Sequence, residues 1–366
     1  MDASPKVTSP KEIIGDAKAM TLVHGLALQR GELKSWWAHI QAPTINDWAL
    51  DRISLRSKPE TPLSPSRIEN YARCPFQYFA EKMLYLKKKD ADESALHQGG
   101  LIHLVFQRFM EEWRTKNGAK PGQPVDLPGE RTGSREDLLR IWQETLSSDP
   151  RAGSLDRKVR AKVTRPGGVI DIYLANLERF RDAGVRHVAA EENIGPANLG
   201  DSEAPLFLQG RIDDWYVWQD GKSTLVDYKS GTTPAPGKFL KERDRKWKVQ
   251  LDLYAAVLLA TDIEVKQGMY LFLKMNSKWK EEDKVQSHTV LQGHFIKEWL
   301  PLRRKDCPPL DKEGAVTHAK GVARSIRNGI IPLTTFQNPK DQPACTNHCP
   351  VRNICRTPAV IRPTFH

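Results

Sequence analysis

The feature that most constrains this chain is a pair of strand-like segments, residues 205–218 and 223–229, joined through Asp220-Gly221, a strong tight-turn signal. Side chains on a strand alternate between faces, so within Leu225-Val226-Asp227-Tyr228-Lys229 the aspartate and the lysine project together while Tyr228 points away. Folding the chain at the turn brings Asp213, from Gly210-Arg211-Ile212-Asp213, opposite the Asp227–Lys229 stretch to within a residue or two. Two carboxylates so close repel unless a cation sits between them. An oxygen-rich setting of this kind suits hard divalent ions such as Mg²⁺ or Mn²⁺, and a neighbouring ammonium steadies developing negative charge. Taken alone, Asp-x-Lys is more often the pattern of a surface ion pair, because such tripeptides are common.

Around this hairpin the sequence reads as helical. Ser66-x-x-Glu69 has the form of a capping box opening a helix that runs to Tyr71 and Ala72, and Pro75 interrupts it just after Cys74. Apolar spacing predicts a helix over Leu101–Arg114, entered through Gly99-Gly100 and carrying His103. Residues 117–134 read as a loop, and 135–147 and 168–183 as helices. A long helix is expected over 238–260, placing Gln250 and Tyr254 on one face at i and i+4. A strand over Gly268–Lys274 and a helix over 312–328 follow, while residues 1–62, with a helix expected around Leu22–Ala38, read as an arm or the remnant of a preceding domain. This order gives an α/β fold with an α+β periphery.

Lys and Arg number 56 against 45 Asp and Glu, a formal charge of +11 that favours a polyanionic partner, nucleic acid first. The longest apolar stretch, Tyr254–Ala260, is too short to span a bilayer, and Met1–Glu12 has no apolar leader core, so a cytoplasmic chain is expected. Five cysteines without a leader argue against a disulfide framework. Three crowd the C-terminus as Cys345-x3-Cys349-x5-Cys355, Cys74 stands far upstream, and Cys307 lies apart. The compact pairs of a zinc ribbon are absent, and three clustered thiolates plus a distant one suit a cubane [4Fe–4S] cluster; on spacing alone a zinc site or free thiols remain open. Gly221-Lys222-Ser223-Thr224 lacks the upstream glycine of a phosphate-binding loop and is read as a turn.

Gly-Arg-Ile-Asp, then Val226-Asp-Tyr-Lys-Ser-Gly231, then Gln250-x-x-x-Tyr254 resembles the PD-(D/E)XK nuclease superfamily in its RecB-like branch. Leu63 to Phe79, with Cys74-Pro75, resembles the opening of the nuclease domain of AddB-type proteins, and Gly99-Gly100-Leu-Ile-His103 resembles that family's first active-site motif. The resemblance covers about residues 63–356. It implies a restriction-endonuclease-like core, a central mixed β-sheet flanked by helices, in a nuclease domain over 63–340, with residues 341–366 packing back on Cys74. It implies that His103, Asp213 and Asp227 ligate metal, that Lys229 orients or activates the attacking water, and that Gln250 and Tyr254 complete the site near the scissile phosphate. It also implies that Cys74, Cys345, Cys349 and Cys355 hold a [4Fe–4S] cluster, a staple that would disfavour the unfolded chain by on the order of 5 kcal/mol. Where the family often continues Arg-Ile/Val-Asp after Gly-Arg-Ile-Asp, this chain has Asp214-Trp215-Tyr216. Glu191 and Glu192, just before the hairpin, are not assigned to the site.

The expected function is a Mg²⁺- or Mn²⁺-dependent DNA exonuclease acting on single strands or ends in recombination or double-strand break repair, with DNA as partner and a helicase as a further one. The alternative is a non-catalytic subunit of a helicase–nuclease complex, stabilised by iron–sulfur or zinc and used for DNA binding or assembly.

Overall fold

The computed structural model describes residues 61–83, 93–129, 131–150, 157–202, 205–232, 242–274, 289–293 and 310–331. The helix expected at Leu22–Ala38, Cys307 and the three C-terminal cysteines lie outside these residues. The chain divides into two compact units, Ser57–Ala72 with Lys89–Arg324, and Met1–Arg56 with Arg73–Lys88 and Ser325–His366.

In the first unit, helix α1 (Pro65–Arg73) leads in. In the other unit, Cys74 caps the short helix α2 (Pro75–Tyr78), its Sγ accepting the Gln77 amide at 3.4 Å, and a π-helical turn Phe79–Met83 follows. Pro75 does break the helix, since it lacks the amide that would continue it. The expected capping box is not formed. Ser64, one residue outside the helix, takes the Arg67 amide at 3.4 Å, and Glu69 turns to a distant segment.

The first unit continues with α3 (Glu93–Lys116), α4 (Arg131–Ser148), α5 (Arg157–Thr164) and α6 (Val169–Asp182). The predicted loop therefore ends at Arg131, and α5 is a helix the sequence reading did not contain. A strand it also lacked, β1 (Arg186–Asn198), precedes the hairpin β2 (Phe207–Val217) and β3 (Ser223–Thr232). Helix α7 covers only Gln250–Leu259, not 238–260. The chain breaks at Lys246, whose φ of 57° is left-handed, and Trp247 is anchored instead by its indole N–H on the Ala72 carbonyl at 2.9 Å. Strands β4 (Val265–Lys274) and β5 (Thr289–Gly293) and helix α8 (Lys312–Arg327) complete the described residues.

The sheet order is β1-β2-β3-β4-β5. It is mixed, with β3 and β4 parallel and the other neighbours antiparallel. Gly221, with φ of 78°, makes the predicted β2–β3 turn. On one face of the sheet, α3, α4 and α6 pack an apolar layer through Phe106, Trp142, Tyr173 and Phe180 against Tyr216, Val226 and Met269. Burying side chains of this size contributes about 1.5–3 kcal/mol each. Helix α7, apolar nearly all round and buried from Leu251 to Leu258, packs against β1, β2 and β4. Tyr216 and Trp218 are core residues, and Trp215 gives its indole N–H to Ser223 at 2.9 Å. No helix among the described residues is long and apolar enough to cross a membrane.

Candidate active site

The β2–β3 ladder runs from Val217↔Ser223 to Asp214↔Val226 and ends there. Beyond that point β3 stays on β4, while Leu63 pairs with Leu208 of β2, giving its N–H to Phe207 and accepting from Gln209. The strands thus fork, and Asp213 and Asp227 are the first residues past the fork. Asp213 Oδ2 accepts the Tyr228 amide at 2.6 Å, so a side-chain oxygen satisfies a donor the ladder has left.

The β1–β2 register extends the row. Ala190 faces Asp214 and Glu192 faces Ile212, which sets Glu191 beside Asp213. Glu191 has φ of 52°, a left-handed kink that a non-glycine residue adopts rarely. His103 of α3 approaches from the helical layer. Its Nδ1 lies 2.9 Å from Glu191 Oε1 and 3.6 Å from Asp213 Oδ2, and its ring meets Tyr228 edge-on. Ligand atoms of His103, Glu191 and Asp213 all lie within 4.8 Å of one another, a group that could hold a metal ion. Asp227 is not in that group, and its carboxylate engages Lys229 instead.

Lys229 Nζ also donates to Gln250 Oε1 at 3.3 Å, and Gln250 Nε2 donates to Tyr254 Oη at 3.1 Å. The ammonium stands 5.4 Å from the centre of the Tyr270 ring. Gly210 is required here, because a Cβ would come within 2.2 Å of Tyr254 Cε1.

The electrostatics follow from burial and crowding. Burial, then the charge of Asp227, pushes the Asp213 carboxyl up to about 8, with His103 and the Tyr228 amide opposing. For His103 burial alone would lower the pKa, but its bond to Glu191 and the charge of Asp213 raise it overall. Burial also disfavours charge on Lys229, and Asp227 outweighs it so that the pKa is raised. Asp227 Oδ2 and Glu191 Oε2 are buried without a hydrogen bond, their partners being the cations of Lys229 and Arg211. Carboxylate oxygens with spare lone pairs, one imidazole, and burial joined by carboxylate crowding that together raise the Asp213 pKa suit a hard divalent cation.

The six residues expected around the hairpin, His103, Asp213, Asp227, Lys229, Gln250 and Tyr254, are brought together. Glu191 is the site residue the sequence reading did not assign; its only signal was a paired acid upstream of the hairpin. Asp214 turns to the opposite face, where it is buried with His187 Nε2 at 3.0 Å and accepts from Tyr216 and Tyr228. Cys74, in the other unit, is buried.

An acidic row and a lysine at the fork of a mixed, helix-flanked sheet define a restriction-endonuclease-like α/β fold. The chain belongs to the PD-(D/E)XK nuclease superfamily, whose profile matches residues 62–356. It is similar to curated proteins named as subunits of an ATP-dependent helicase/deoxyribonuclease. That of Thermoanaerobacter sp. (strain X514) is 22% identical over 359 residues, covering 82% of this chain and 30% of the relative. That of Clostridium acetobutylicum is 26% identical over 253 residues, covering 63% and 19%, and that of Desulforudis audaxviator 28% over 177, covering 46% and 15%. The chain thus spans about a third or less of the length of these relatives.

Proposed function

We propose that this chain is a Mg²⁺- or Mn²⁺-dependent deoxyribonuclease that hydrolyses phosphodiesters of single strands or duplex ends in recombination or double-strand break repair, in company with a helicase. The observation that carries the reading is the convergence of Asp213, Asp227 and Lys229 at one fork of the sheet. The relatives' names, which place them in a helicase/deoxyribonuclease, support DNA as substrate and a helicase as partner. His103, Asp213 and Asp227, joined by Glu191, would hold the cation. Bound there, it supplies Lewis-acid stabilisation of charge on the phosphoryl and departing oxygens. Lys229, fixed between Asp227 and Gln250, would orient a water towards phosphorus and steady the charge that develops. Tyr254 would hold the Gln250 amide in the rotamer that faces Lys229.

We also propose that Cys74, Cys345, Cys349 and Cys355 hold a [4Fe–4S] cluster. The superfamily profile begins before the first of these cysteines and ends just after the last, which supports counting them in the domain. Anaerobic purification should give a brown protein with about four irons per chain; a colourless protein with one zinc would overturn the assignment.

The test of the main reading is cleavage of 5′- and 3′-labelled single-stranded DNA with Mg²⁺ or Mn²⁺, wild type beside Asp227→Ala. Cleavage by the wild type alone supports it. Equal activity in both rejects it, and the order of label release gives the polarity.

A further inference from the structure

Helix α7 carries Gln250 and Tyr254 but begins badly. Its N-cap is Val249, which has no side-chain oxygen with which to accept an exposed amide. The missing acceptor comes from another part of the chain. Glu69 of α1, only 6% exposed, accepts the Val249 amide at 2.8 Å and the Gln250 amide at 2.9 Å through the same oxygen, Oε1. The other oxygen faces Lys248 Nζ at 3.9 Å. A second tie joins the same two segments, the Trp247 indole on the Ala72 carbonyl. The residue so fixed is Gln250, whose side-chain oxygen takes a hydrogen bond from Lys229.

Resting on the nuclease reading above, we propose that Glu69 is a positioning residue of the active site, clamping the first turn of α7 so that Gln250 meets the Lys229 ammonium. A buried carboxylate is expensive unless paired. This one is placed against two amides at a helix N-terminus, where negative charge is favoured, and near two lysines. Burial raises its pKa overall, with Lys248, the Val249 amide and Lys229 opposing. Glu69 acts on Lys229 directly only through its charge. Its hold on the Gln250 side chain passes through that residue's backbone, and a shift of about 1 Å in such a group slows turnover on the order of 100-fold.

The test uses Glu69→Ala and Glu69→Gln in the full chain, with turnover on labelled single-stranded DNA and amide hydrogen exchange across residues 249 and 250. Glutamine keeps an oxygen for both amides. The expected result is a drop in kcat on the order of 100-fold for Glu69→Ala with little change in KM, faster exchange at the two amides, and recovery of both in Glu69→Gln. A folded Glu69→Ala with wild-type kcat overturns the proposal, as does a Glu69→Gln that fails to recover. Should Glu69→Ala not fold, Glu69→Gln decides alone: kept protection with kept kcat supports the clamp, and loss of either overturns it. A wild type that cuts no DNA sinks the nuclease reading instead, and exchange at 249 and 250 in the variants still decides whether Glu69 holds the turn.

Discussion

The carboxylate of Asp213 accepts the backbone amide of Tyr228 at 2.6 Å, one residue past the end of the β2–β3 ladder. One side chain thereby performs two tasks, closing the fork for the backbone and presenting oxygen to His103 and Glu191. The tasks separate by substitution. Asp213→Asn retains an acceptor for the Tyr228 amide and loses the charge, and it should fold while cleavage falls on the order of 100-fold or more. Asp213→Ala loses both. Its unfolding free energy should lie about 1–3 kcal/mol below that of the asparagine variant, the penalty for an unsatisfied buried donor. Equal stability of the two would show that the amide bond contributes nothing.

The same residue sets a pH dependence. Unfolded, the Asp213 carboxyl titrates near its ordinary value of 3.8; folded, burial and Asp227 push it up to about 8. Between those values the unfolded chain has released a proton that the folded chain keeps, so the stability of the metal-free protein falls as pH rises from about 4 to 8. His103 acts in the same direction, since its raised pKa gives stability that is present below 6.5 and lost as pH rises through the folded value. A divalent cation must displace the Asp213 proton, so its binding tightens towards pH 8. Thermal unfolding in EDTA should show Tm decreasing from pH 5 to 8, with a flatter profile for Asp213→Asn. Added Mn²⁺ should raise Tm more at pH 8 than at pH 6. A pH-independent metal response would contradict the crowding of carboxylates described above.

Gly210 and Tyr254 are coupled by contact. The 2.2 Å approach of an added Cβ to Tyr254 Cε1 forces the ring to move, and with it the hydrogen bond to Gln250. Gly210→Ala should destabilise by about 1–3 kcal/mol through overpacking and should lower kcat. Tyr254→Ala removes the obstructing ring, so adding Gly210→Ala to it should have little further effect. Strict additivity in this double-mutant cycle would show that the glycine acts elsewhere.

What could be read in the sequence was what is local or set by the hairpin. The turn at Asp220-Gly221 fixes the pairing Asp214↔Val226, and that register alone places Asp213 opposite Asp227. The apolar spacing of Leu101, Leu104, Val105, Phe109 and Trp113 found α3 and with it His103. Long-range partners were not legible. Glu69 stands where a capping box predicts a local bond, and its actual partners lie 180 and 181 residues away. The helix expected over 238–260 is interrupted: residues 242–244 are helical, the Lys246 and Trp247 amides close that segment on the Arg243 and Glu242 carbonyls, and α7 starts afresh at Gln250. Lys, Arg and Glu favour helix without a break. Nothing in their composition announces the left-handed turn at Lys246. Strand β1 was hidden because Glu191-Glu192 interrupts its alternation and Gly195-Pro196 falls near its end.

Glu191 provides the sharpest contrast between the sequence and the folded chain. Two adjacent glutamates look equivalent along the chain, yet Glu191 is turned by its left-handed backbone into contact with His103 and Arg211, while Glu192 is exposed. If the kinked backbone exists to aim that carboxylate at the ion site, Glu191→Gln should weaken Mn²⁺ binding at least about tenfold, the scale at which loss of a group orienting or completing a metal shell is felt. Glu192→Gln should leave the affinity unchanged. Removing the charge also frees His103 and Arg211 from their partner, so the His103 pKa should fall in Glu191→Gln and not in Glu192→Gln. Calorimetric titration with Mn²⁺ and imidazole proton resonances followed against pH measure the two effects separately. Identical metal affinities for both glutamine variants would remove Glu191 from the site and leave its backbone conformation without an account.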